Sequence, residues 1–108
     1  MRINKNLLKK TAMKSNRMQK HSSFIFKNGN LVSIGYNNEF SHAEEKAINS
    51  YYSDVIMKGY TMVNLRLTRS GRIGMAKPCP ACFALLKEKK FRKIIYSTNE
   101  GTFQEIYL

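Results

Sequence analysis

The chain predicts an α/β fold, with a mixed sheet of about five strands flanked by about three helices and a last strand antiparallel to its neighbour. Three observations carry this expectation. Strand-like and helix-like runs are interleaved along all 108 residues. Two of the strand runs meet at Asn28-Gly29, the dipeptide favoured in two-residue hairpin turns. Only a turn around Asn99-Glu100-Gly101 separates the last two strand runs, whereas a parallel crossover needs about a dozen residues or more.

Taken in order, Arg2 to about Arg17 predicts a helix, because Ile3, Leu7, Leu8 and Ala12 form one apolar stripe with lysines elsewhere. It should cover a sheet. His21–Lys27 and Leu31–Tyr36 are the hairpin strands. Ser41 to about Met57 predicts a second helix, ended by Gly59. Thr61–Thr68 alternates, with Val63, Leu65 and Leu67 on one side, and reads as a third strand. Cys79–Lys90 predicts a third helix, opened by Pro80 at a first-turn position where a missing N–H costs nothing. Lys93–Ser97 and Phe103–Tyr107 are the closing pair of strands.

Length and composition bound the function. A chain this long forms one domain, residues 1–108, with a single core. It has no apolar run long enough to span a bilayer, and its basic N-terminus lacks the apolar stretch of a signal peptide. The expectation is a cytoplasmic protein with no membrane partner. Its two cysteines fall in one short motif, at a spacing better suited to a metal than to stapling loops. The charge balance is strongly basic: 19 Lys plus Arg against 7 Asp plus Glu gives +12. The first acidic residue is Glu39, so the segment carrying Arg2, Lys5, Lys9, Lys10, Lys14, Arg17, Lys20 and Lys27 is purely cationic. Such a surplus favours phosphate-bearing partners, a nucleotide or a single-stranded nucleic acid.

The chemistry concentrates in two places, Ser41-His42-Ala43-Glu44-Glu45 and Lys77-Pro78-Cys79-Pro80-Ala81-Cys82. One imidazole and two thiols suit Zn²⁺, and three protein ligands leave a tetrahedral corner open for water, as catalytic zinc requires. A carboxylate beside that water can move protons, which makes hydrolysis the leading reaction class. Both motifs open helices, so two sets of orphan N–H groups and two positive dipole ends converge. Cys79 and Cys82 are three apart and share a helix face, so one ion can bridge them at about 2.3 Å. Arg66, Arg69, Arg72 and Lys77 lead into this helix and are the cations expected to meet substrate phosphates if their loop borders the site. Tyr36, Phe40 and Tyr96 read as core or rim aromatics, each also able to stack on a base.

His-x-Glu followed by Pro-Cys-x-x-Cys resembles the zinc-dependent cytidine and deoxycytidylate deaminase superfamily. Ile34-Gly35-Tyr36-Asn37 and Ile94-Ile95-Tyr96-Ser97 resemble its flanking strands. The resemblance implies a three-layer cytidine-deaminase-like fold, nearer the compact cytidine-deaminase arrangement than the tRNA adenosine deaminase one because of the antiparallel last strand. It implies a Zn²⁺ cofactor on His42, Cys79 and Cys82, with Glu44 as the catalytic proton carrier in the conversion of cytosine to uracil with release of ammonia. It also implies a sugar contact from Asn37 and a base contact from the backbone N–H around Ala43. A homo-oligomer is compatible with the family, although no residue here fixes an interface.

Each reading has a rival. Ser41-x-x-Glu44 is also a capping box, in which Glu44 would only reach back to the Ser41 N–H. Glu45, rather than Glu44, shares a helix face with His42. His21 could complete a closed Cys₂His₂ site, which would make the protein a non-enzymatic zinc-stabilised nucleic-acid-binding module. Adenine and free nucleosides remain open as substrates, because the superfamily uses one fold on many of them.

Overall fold

A computed structural model describes residues 2–39, 41–51 and 56–108. Among them are three helices and six strands: α1 (Lys5–Ala12), β1 (Lys20–Lys27), β2 (Asn30–Tyr36), α2 (Ala43–Ser50), β3 (Thr61–Leu67), β4 (Ile73–Gly74), α3 (Pro80–Glu88), β5 (Lys93–Ser97) and β6 (Phe103–Tyr107). The strands form one mixed sheet in the order β2-β1-β3-β5-β6, with β4 paired to β3 off that path. β3 and β5 are parallel, and the other pairs are antiparallel, including the last strand against β5.

The hairpin forms where expected. Asn28 and Gly29 both take positive φ, 52° and 79°, as a type I′ turn demands. A bulge between Ile25 and Phe26 shifts the register against β2.

Alternation along β1 and β3 divides the core into two layers. One face carries Phe24, Phe26, Val63, Leu65 and Leu67 under Leu8 and Ala12 of α1. The opposite face carries Ile25 and Met62 with Ile94 of β5, covered by Ala47 and Ile48 of α2 and Leu86 of α3. The sheet is therefore the middle of three layers, with the two motif helices together on one side.

The helices are shorter than their periodicity suggests. Asn4 caps α1 through Oδ1, which accepts the Leu7 N–H at 3.0 Å, so the helix begins at Lys5 and not at Arg2. It ends at Ala12, a turn before Arg17. Ser15 is the reason: its hydroxyl accepts the Arg17 N–H at 3.1 Å and its carbonyl accepts from Lys20 Nζ, contacts that compete with helical bonding. α2 ends at Ser50, and Tyr51 leaves helical geometry (φ −121°, ψ 85°). The rest of the expected helix falls partly on residues 52–55, outside the described residues, as does Phe40. α3 ends at Glu88, followed by a positive φ of 68° at Lys90.

Gly35 sets how α2 sits on the sheet. A Cβ there would lie 2.4 Å from the Ala47 nitrogen and 2.5 Å from the Ala43 carbonyl oxygen. The first turn of α2 can approach β2 only over a residue without a side chain. Ser33, two residues back on the same face, donates to the Ala47 carbonyl at 2.5 Å. The segment carrying His42 and Glu44 is thereby seated on the hairpin.

Candidate active site

His42 is the N-cap of α2 and Cys79 the N-cap of α3, so each motif enters its helix at the same end of the sheet. The lead-in to Cys79 is pinned by β5 and the turn after it. Ser97 donates through Oγ to the Gly74 carbonyl at 2.7 Å, its carbonyl accepts the Ala76 N–H at 2.9 Å, and Asn99 Oδ1 accepts the Met75 N–H at 2.9 Å. β4, which the sequence does not announce, exists because of this stitching. Its two residues pair with Arg66 and Leu67 and turn the chain back toward the helix start.

The three expected ligands meet. His42 Nδ1 lies 3.4 Å from Cys82 Sγ and 4.0 Å from Cys79 Sγ, and all three ligand atoms fall within 4.8 Å of one another. Tetrahedral Zn²⁺ with bonds of about 2.0 to 2.3 Å separates such atoms by about 3.6 Å, so the group fits that ion. His21 is outside this group. The closed four-ligand site of the structural-module reading is not formed.

Glu44 stands beside them, buried, and faces a cavity of about 590 Å³ that His42, Ala43 and Cys79 also line. The capping role falls to its neighbour: Glu45 Oε1 accepts the His42 N–H at 3.2 Å, while the Ser41 N–H goes to Asn38 Oδ1. Glu44 is thus not the residue that caps the Ser41 N–H. Burial pushes its carboxyl above the ordinary carboxylate range, opposed by its own backbone N–H, by His42 and by a hydrogen bond from Asn64. Burial, and then the charge of Glu44, push the Cys82 thiol well up.

The other expected contacts divide. Asn37 and Ala43 line the cavity. Asn37 also clips the start of β1: its Oδ1 accepts the His21 N–H and its Nδ2 donates to the Gln19 carbonyl, each at 2.9 Å. One N–H and one lone pair of this amide remain for a ligand. Tyr96 does not line the cavity. It is buried in β5 between β3 and β6, and its hydroxyl donates to Gln104 Oε1 at 3.2 Å. Arg69 and Arg72 do not line it either, because both sit exposed in the tight β3–β4 turn, closed by the Thr68 N–H to the Arg72 carbonyl at 2.7 Å and a positive φ at Gly71.

The cations that do line the cavity are Arg17 and Lys77. Arg17 belongs to the segment released by the early end of α1, and Asn16, Met18 and Gln19 of that segment complete the wall. A helix continued through Arg17 would not have supplied it. His21 also faces the cavity. Burial, Arg66 across the strand and His42 hold its pKa down to about 4, so its imidazole is neutral near pH 7. Asn64 carries no sequence motif; it lies on the face of β3 that alternates with Val63 and Leu65, between Met62 and Arg66, and only the fold brings it to Glu44.

Comparison with known proteins agrees with the fold and with a zinc-binding region. Residues 1–98 match the family model described as the cytidine and deoxycytidylate deaminase zinc-binding region. The chain belongs to this family. The fold is shared with a cytidine deaminase from Burkholderia pseudomallei, which is 17% identical with a TM-score of 0.69 over 97% of this chain and 93% of that one. It is shared too with the dCMP deaminase of the cyanophage S-TIM5 in apo form, 19% identical with a TM-score of 0.57 over 89% of this chain and 86% of that one. The same cyanophage enzyme in complex with dCMP and dUMP gives 18% identity and a TM-score of 0.58 over 93% and 90%. No curated protein matches the sequence. Zn²⁺ is the metal implied by both the family and the His/Cys/Cys group. Among the described residues, no helix is long and apolar enough to cross a membrane.

Proposed function

We infer that the protein is a zinc-dependent hydrolytic deaminase that converts a cytosine base to uracil on a phosphorylated substrate, deoxycytidylate or single-stranded nucleic acid. The observation that carries this reading is the meeting of His42, Cys79 and Cys82 beside the buried Glu44, with His42, Cys79 and Glu44 lining one cavity. Zinc held by those three residues supplies Lewis acidity, which makes water a competent nucleophile at neutral pH. Glu44 carries the proton, taking it as base and returning it to the ring nitrogen as acid, a role supported by a pKa raised toward the working pH. Ala43 offers its backbone N–H, and Asn37 its remaining amide valences, to base and sugar.

Phosphate is favoured by Arg17 and Lys77 on the cavity wall and by the +12 charge behind them. The family relative with dCMP and dUMP bound makes a nucleotide a chemically consistent ligand. Ammonia release from cytidine, deoxycytidylate, single-stranded DNA and RNA tests the reading. Phosphorylated substrates should react faster, by a margin that shrinks with salt. Equal rates for deoxycytidine and deoxycytidylate without salt dependence would refute the phosphate half. Glu44→Gln should retain zinc and lose turnover by at least about 10²-fold, and an unimpaired variant would refute the assignment of the proton carrier.

A further inference from the structure

Beneath the first turn of α2, β1 and β3 interrupt their apolar face with a buried polar chain. Ser23 and Asn64 are cross-strand partners, essentially without solvent exposure. Ser23 Oγ donates to Asn64 Oδ1 at 2.6 Å, and Asn64 Nδ2 donates to Glu44 Oε2 at 3.0 Å. The second hydrogen on the same nitrogen points at the Ala76 carbonyl, 3.5 Å away in the lead-in to Cys79. Both groups facing Nδ2 are acceptors, so the amide cannot be flipped without setting oxygen against oxygen.

We propose that Asn64 is a positioning residue for the deamination, orienting the Glu44 carboxylate through Oε2 and tying it to the segment after β4 that delivers the cysteines. The inference rests on the function proposed above. An oxygen that already accepts the amide N–H is the poorer proton carrier, which leaves Oε1 to exchange protons with the substrate. A neutral donor suits a group that must be ionised in one step and protonated in the next, whereas Lys or Arg at this position would hold it ionised. Ser23 supplies the remaining constraint, because its hydroxyl stops rotation of the amide. Asn64 touches no reacting atom and acts through Glu44.

The closing experiment compares wild type, Asn64→Leu, Ser23→Ala, Glu44→Gln and the Glu44→Gln/Asn64→Leu double variant, each checked for folding and for zinc content. In Asn64→Leu, kcat should fall by about 10²-fold with KM changed by less than about 3-fold, the pattern of an interaction used in the transition state. Affinity for a hydrated pyrimidine nucleotide bearing a tetrahedral C4 hydroxyl, measured by calorimetry, should fall in parallel. In the Glu44→Gln background the same replacement should cost less than about 3-fold in that affinity, because the group it positions is already gone. Ser23→Ala, which removes one oxygen, should fold and lose about 3- to 10-fold in kcat. If Asn64→Leu does not fold, Ser23→Ala decides the matter, and full kcat there overturns the proposal. Equal losses in both backgrounds overturn it as well, since they mark a role in packing alone. Absence of turnover in zinc-loaded wild type is a separate failure: it sinks the deaminase reading and this inference with it.

Discussion

Cys82 Sγ lies 3.4 Å from His42 Nδ1 although 40 positions separate them in sequence. The thiol is buried and the imidazole exposed. Without metal, burial and the charge of Glu44 keep Cys82 protonated through the neutral range. A divalent cation must displace that proton. The apparent affinity for Zn²⁺ should therefore rise at least about tenfold per pH unit between about pH 6 and 8, as competition with a chelator of known affinity would measure. A pH-independent affinity would contradict a thiolate ligand at this position.

Gly35→Ala should be among the most damaging single-methyl changes in the chain. The new Cβ would meet two backbone atoms of α2 at 2.4 and 2.5 Å, and neither can rotate away. Either α2 lifts or β2 buckles, at a cost of about 3 kcal/mol or more. The urea midpoint should drop accordingly, and zinc affinity should fall with it because His42 opens that helix.

Arg17→Ala and Lys77→Ala should each raise KM for deoxycytidylate by about tenfold and leave kcat within about twofold. Arg69→Ala and Arg72→Ala should change neither, because both side chains stand in the exposed β3–β4 turn. Steady-state kinetics at two salt concentrations would distinguish the pairs. A larger effect from the turn arginines would place the phosphate elsewhere.

His21 makes stability depend on acid. Its folded pKa of about 4 lies below the ordinary 6.5, so the unfolded chain takes up the proton first as pH falls. The stability associated with the neutral ring is fully present above about pH 6.5 and is lost as pH drops toward 4. The shift corresponds to at most about 3 kcal/mol, and to roughly half that once the solvated cavity side of the ring is allowed for. Denaturant midpoints of wild type and His21→Gln, compared at pH 7 and pH 4.5, should show a smaller acid loss in the variant. Parallel losses would mean that His21 is not the sensor.

Much of this molecule is legible in its sequence because the relevant physics is local. Turn chemistry at Asn28-Gly29, alternation in β1 and β3, and the short gap before β6 depend on neighbours within a few residues, and they foretold a mixed sheet with an antiparallel end. The pairing of His-x-Glu with Pro-Cys-x-x-Cys pointed to zinc and to the three side chains that the fold brings within reach of one ion, since the chemistry of zinc restricts which side chains and spacings can serve it. What tertiary structure alone decided is which side chains arrive at the cavity from distant positions. Arg17 reaches it because Ser15 ends α1 early, Arg69 and Arg72 miss it because β4 draws their turn away, and Tyr96 is enclosed between neighbouring strands. Asn64 met Glu44 for the same kind of reason: a contact across 20 residues is set by sheet register and by the seat of α2 on Gly35. No local propensity encodes such a distance.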